Sequence, residues 1–181
     1  MRGGTRLTVN NLLLNGGFET GDFQSWDIMN STITQFYSHT GNASAKLGGG
    51  TSPASISQTV PVAPGQNFQL LASLSSTRFL SNPRVTLVVD FLDENNAVIT
   101  NGLFVEISQG DLPNAVSSNW TEIYHTTDIV PETATQAIVQ ISKQSGNFLS
   151  SSILVDDVAL LDFDSNPDIP GPTGPEGTTG Y

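Results

Sequence analysis

Phe68-Gln69-Leu70-Leu71-Ala72-Ser73-Leu74 and Val85-Thr86-Leu87-Val88-Val89-Asp90-Phe91 are the stretches whose reading decides the fold. In the first, Phe68, Leu70, Ala72 and Leu74 point one way, with Gln69, Leu71 and Ser73 opposite. In the second, Val85, Leu87, Val89 and Phe91 repeat the pattern against Thr86, Val88 and Asp90. Successive side chains of an extended chain face opposite sides, so a period of two marks a strand with one buried face. Gln136 to Ser142 alternates again, with Ala137, Val139 and Ile141 on the apolar side.

Working outward, shorter strand candidates are Ala45–Leu47, Ser55–Val60, Leu103–Ile107, Trp120–Thr126 and Ile153–Leu161. Turn formers separate them: Ala63-Pro64-Gly65, Asp93-Glu94-Asn95-Asn96, Ser117-Ser118-Asn119 and Ser145-Gly146-Asn147. No window keeps the three-and-four spacing of an amphipathic helix. Eight or nine short strands at this spacing predict an all-β, two-sheet antiparallel sandwich.

Composition agrees. Apolar residues make up 37% of the 181, but charged ones only 13%, and Ser, Thr, Asn and Gln supply most of the polar surface, which suits exposed strands. The net charge of −11, from 17 acidic and six basic residues, argues against nucleic-acid binding, which needs a basic footprint, and against attraction to anionic lipid. There is no cysteine, so neither disulfides nor thiolate metal sites contribute.

The C-terminus has a different period. Gly171-Pro172-Thr173, Gly174-Pro175-Glu176 and Gly177-Thr178-Thr179 are three Gly-X-Y triplets, and Gly180-Tyr181 opens a fourth. Collagen needs glycine at each third position because only hydrogen fits at the axis of its three chains. The chain is therefore expected to divide into a flexible N-terminus (1–7), a β-sandwich (8–163), a linker (164–170) and the start of a collagen-like region (171–181), disordered unless the chain trimerises. The N-terminal residues contain no apolar run long enough for a signal peptide.

A set of landmarks lies in order along the sandwich: Asn15-Gly16-Gly17-Phe18-Glu19, Gly21, Ser25-Trp26, His39 to Leu47, Ile56-Ser57-Gln58, Val62 to Gly65, Asn119-Trp120 and Leu154-Val155-Asp156-Asp157-Val158. In this it resembles the family 4/9/22-like carbohydrate-binding modules, which are jelly rolls. With the Gly-X-Y tail it is similar to the N-terminal domains of triple-helix-repeat proteins of spore-forming bacteria. That resemblance implies a place on a cell or spore surface, and spore-surface proteins need no export signal.

The resemblance also implies a structural Ca²⁺ held by the carboxylates of Glu19 and Asp156 and by the main-chain carbonyls of Gly17 and Lys46. Ca²⁺ accepts such mixed oxygen shells. The alternative leaves Glu19 as a surface carboxylate or a partner of Lys46, and turns Asp157 inward instead of Asp156. The resemblance implies, too, that Trp26 and Trp120 pack in the core.

Little points to catalysis. His39 and His125 lack metal-ligand spacing, no nucleophile elbow is present, and nothing singles out Asp90 with Glu106 or Glu122 as a glycosidase pair. The chain reads as a non-enzyme. On the side of the strands away from the apolar stripe, Gln69, Thr86, Asp90 and Gln140 surround Leu71, Val88 and Ile138, the composition of a subunit interface or a ligand face. Tyr37, Phe79, Phe104, Tyr124 and Phe148 are the aromatics left to form a sugar platform. Two functions follow: a homotrimeric structural head that anchors a collagen-like stalk to a surface layer, or a carbohydrate-binding module displayed for adhesion.

Overall fold

The alternating segments fold as strands. The structure, a computed structural model, describes residues 7–78 and 80–165. Among them are eleven strands: β1 (Leu7–Asn11), β2 (Asp27–Met29), β3 (Ser31–Thr34), β4 (Ser44–Leu47), β5 (Ala54–Pro61), β6 (Phe68–Ser76), β7 (Val85–Leu92), β8 (Val98–Ile107), β9 (Thr121–Thr126), β10 (Gln136–Lys143) and β11 (Ile153–Ser165). The helical content of the described residues is one 3-10 turn, Ala115–Ser117.

Two antiparallel sheets form a jelly-roll β-sandwich. One has the order β3-β4-β11-β6-β9, with β1 also paired to β11, and the other the order β2-β5-β10-β7-β8. The first and last strands pair directly, Leu7 opposite Ser165 and Asn11 opposite Leu161, so strand pairing reaches just beyond the expected bounds of 8 and 163. The Gly-X-Y triplets lie outside the described residues.

Period two put the right residues inside. Leu70, Leu74, Val85, Leu87, Val89, Phe91, Ala137, Val139 and Ile141 are fully buried between the sheets. Each large aliphatic or aromatic side chain so buried stabilises the fold by about 1.5–3 kcal/mol. Trp26 closes one end of the core, tilted on Phe18 at 5.6 Å between ring centres, and its indole N–H donates to the carbonyls of Leu14 and Asn15.

Trp120 departs from expectation. It is half-buried on the outside of the six-stranded sheet, edge-on to His39 at 5.6 Å. It precedes the edge strand β9, where a large ring can cover the sheet margin without entering the core.

Alternation says which side chains leave the core, but not which sheet carries them. β6 belongs to the six-stranded sheet, and β7 and β10 to the other. The face expected from Gln69, Leu71, Thr86, Val88, Asp90, Ile138 and Gln140 is therefore split between the two outer sides of the sandwich. Gln69 and Leu71 stand opposite Thr126 and Tyr124 of β9. On the far side, Gln140 stands opposite Val88, and Ile138 opposite Asp90.

Candidate functional site

Three regions carry polar side chains with recognisable geometry. The first is the clamp expected to hold calcium. Asp156 is fully buried; its Oδ2 accepts the N–H groups of His39 (2.8 Å) and Thr40 (3.2 Å), and its Oδ1 that of Asp157 (2.8 Å). Glu19 receives the N–H groups of Asn42 and Ala43, each at 2.9 Å. Two carboxylates thus grip one loop, between β3 and β4, by four of its backbone donors. Burial pushes the Asp156 carboxyl up to about 6, against the lowering effect of those N–H groups.

Asp156 and Glu19 flank Gly17: a Cβ built there would lie 3.9 Å from both Asp156 Oδ1 and Glu19 Cγ. A buried carboxylate that meets only N–H dipoles fits a hard cation, so the side chains of Asp156 and Glu19 are compatible with Ca²⁺. Lys46, expected to contribute its main-chain carbonyl, pairs with Leu154 and Thr32 in the sheet and also lines a separate cavity. Among the described residues no group of three or more His, Cys, Asp and Glu side chains is arranged to hold a metal.

The second region lies on the outside of the six-stranded sheet, where Asp157 rather than Asp156 turns outward. His39 Nδ1 is 2.7 Å from Asp157 Oδ2 and 3.2 Å from Ser73 Oγ, and its Nε2 is 3.4 Å from Glu122 Oε1. Ser73 and Asp157 meet the same ring nitrogen, so the Ser–His–Asp relay of a hydrolase, which needs both nitrogens, is not formed. Tyr124 bonds Gln69 on this face and is exposed.

On the opposite sheet, Asp90 accepts from Asn101 at 2.8 Å and Glu106 pairs with Arg84 at 2.7 Å. Glu122 is on the other side of the sandwich, so it shares no cleft with Asp90. His125 is exposed on β9 opposite Leu70. Phe104, 54% exposed, stands opposite Val88 as the aromatic of this face.

The third region is a cavity of about 720 Å³ at the β3–β4 edge, lined by Phe36, Tyr37, Lys46, Arg78, Phe148 and the hydroxyl side chains of Thr34, Thr77, Ser150 and Ser152. Four loops and the strands β3 and β4 supply it. Phe36 is 92% and Phe148 81% exposed, the two most exposed large apolar side chains described. Exposed rings can stack on the apolar face of a pyranose, and the hydroxyls, the Lys46 ammonium and the planar Arg78 guanidinium beside them can bond its hydroxyls.

Of the aromatics named from sequence, Tyr37 and Phe148 come together here, Phe104 and Tyr124 stand on opposite outer faces, and Phe79 lies outside the described residues. Phe36, Arg78 and the side-chain role of Lys46 were missed. The signal was available: Phe36-Tyr37 breaks the alternation after β3, and basic residues are scarce in this chain.

No protein-family model matches the chain, and no curated protein does. Solved structures do. The TmCBM61 module in complex with β-1,4-galactotriose superposes with a TM-score of 0.60 at 19% identity, over 83% of this chain and 97% of that one. A family 16 carbohydrate-binding module gives 0.61 at 17%, over 83% and 99%. This chain shares the jelly-roll fold of these modules. The CBM22-1 xylan-binding domain of Paenibacillus barcinonensis Xyn10C gives 0.60 at 13%, over 86% and 96%. The enzymatically active domain of bacteriophage CBA120 tailspike protein 4 gives 0.66 at 18%, and there this chain spans only 21% of the partner's length.

Proposed function

We propose that this protein is a non-catalytic carbohydrate-binding domain whose ligand sits in the Phe36–Tyr37–Phe148 cavity. The observation that carries the reading is the pair of almost fully exposed phenylalanine rings, Phe36 and Phe148, beside hydroxyl and cationic side chains in an open cavity. Exposed rings contribute little to folding, and ring stacking on sugars gives them a use. Similarity in fold to a galactotriose-bound module and a xylan-binding domain supports sugar as the ligand class. A glycan array followed by affinity electrophoresis tests it: Phe36→Ala and Phe148→Ala should each abolish detectable retention, and Phe104→Ala, on the far sheet, should leave it intact. Loss of binding through Phe104→Ala alone would move the site to the five-stranded sheet.

A second reading rests on the Gly-X-Y triplets. In it the domain is the head of a collagen-like stalk on a cell or spore surface, a homotrimer attached to a surface-layer protein. The two roles are compatible, since three heads on one stalk would multiply weak glycan contacts. Sedimentation of the 181-residue chain tests the trimer: a monomer at micromolar concentration counts heavily against it.

A structural Ca²⁺ at Asp156, Glu19 and the main-chain carbonyls of Gly17 and Lys46 is part of the proposal, supported by the buried charge of Asp156. Bound there, the ion would offset that charge and tie β11 to the segment after β1. Chelation should lower the melting temperature; an unchanged melt with no metal recovered removes the ion.

A further inference from the structure

The cavity's charge is opposite to that of the molecule. The described residues include four basic side chains, Lys46, Arg78, Arg84 and Lys143. Arg84 has the partner expected in so acidic a protein, Glu106. Lys46 and Arg78 both line the cavity, and neither forms an ion pair among the described residues. Lys143 is buried behind the same wall: its Nζ donates at 3.2 Å to the carbonyl of Gly50, itself a cavity residue. Burial depresses its basicity, and no carboxylate among the described residues offsets it.

With 17 acidic residues against six basic ones, chance would bring carboxylates to these cations. Instead two unpaired cations face the aromatic cavity, with a third behind its wall. Lys46 is half-buried and Arg78 exposed. A half-buried cation without a counter-ion is costly, and an anionic ligand would relieve that cost at Lys46 while taking charge-assisted, bidentate hydrogen bonds from the Arg78 fork.

We infer that the cavity selects saccharides bearing an anionic group, with Lys46 and Arg78 as the specificity-determining side chains and Phe36 and Phe148 as the stacking surface. The inference rests on the glycan-binding reading and narrows it. Lys46 and Arg78 touch the acid group; the rings touch the sugar face. A neutral glycan would leave both cations unanswered inside the cavity, and an anion without a ring face would leave Phe36 and Phe148 exposed.

The test compares polygalacturonate with its fully methyl-esterified form, which keeps the sugars and removes the charge, and adds dextran sulfate to separate carboxylate from sulfate. Isothermal titration of the complete chain should show at least tenfold tighter binding to the charged uronate or to the sulfated polymer than to the ester. Lys46→Gln and Arg78→Gln should each cut that preference several-fold, weakening binding to the charged polymer more than binding to the ester. Unaltered melting temperatures establish that both variants fold. Equal binding of acid and ester, unaffected by either variant, overturns the anionic preference and leaves glycan binding standing. No binding to any of the three polymers or to a neutral glycan array overturns both.

Discussion

Oδ2 of Asp156 accepts the backbone N–H of His39 at 2.8 Å, joining the last strand to the β3–β4 loop across 117 residues of chain. Thr40 donates to the same oxygen at 3.2 Å. The bond fixes the middle of the loop, and Glu19, bonding Asn42 and Ala43, fixes its C-terminal end. Phe36 and Tyr37 lie just before this anchored segment, so the clamp also holds one wall of the proposed glycan cavity in place.

Asp156 makes stability depend on pH in a direction opposite to that of most carboxylates. Its folded-state value of about 6 lies above the ordinary 3.8, so the folded protein holds the proton more tightly than the unfolded chain does. The cost of burying the charge is absent below about pH 3.8, grows as pH rises, and is complete above about pH 6. The difference corresponds to about 3 kcal/mol. In urea titrations with chelator present, Asp156→Asn should gain on the wild type by that order between pH 4 and pH 7. A stability difference that stays constant across this range would contradict the assignment.

Glu19→Ala removes the acceptors of two backbone N–H groups without disturbing the core, because Glu19 is exposed. The expected loss is about 1–2 kcal/mol. Hydrogen exchange locates it: the amides of Asn42 and Ala43 should exchange faster, and those of β7 and β10 should not change.

Gly16 tolerates no side chain. A Cβ there would lie 1.9 Å from the main-chain oxygen of Val158, and the Gly16 carbonyl accepts from Val158 N–H at 3.0 Å. Gly16→Ala must push β11 away or break that bond, at about 3 kcal/mol or more. The melting temperature should drop by roughly 10 °C; a change within a degree or two would show that the two backbones are not in contact.

Phe36→Ala and Phe18→Ala separate function from folding. Phe18 is fully buried in the core, so its truncation should cost about 3–5 kcal/mol. Phe36 touches water over most of its surface, and its truncation should shift stability by less than about 0.5 kcal/mol. Thermal melts of the two variants check the contrast.

The strands around Leu70, Leu87 and Val139 were legible because alternation is a property of neighbouring residues, and all three are fully buried. The edge strands β2 and β3 were not. Asp27, Ile28 and Met29 are all exposed, so no buried face imposes a period on them, and β3 has only four residues. Asp156 and Glu19 were named through the ordered landmarks, but their grip on the backbone N–H groups of His39, Thr40, Asn42 and Ala43 joins segments far apart in the chain and is spelled out by no motif.

By itself the sequence determined an all-β sandwich and the membership of its buried face, since period two is written locally and the core rewards it wherever the strand ends up. Only the tertiary structure decided that β6 sits across the sandwich from β7 and β10, splitting a face that looked continuous. It alone brought Phe36, Lys46, Arg78 and Phe148 to one cavity. The physical reason is that sheet membership and loop convergence depend on pairings between segments tens of residues apart, and these are set by how the whole core closes.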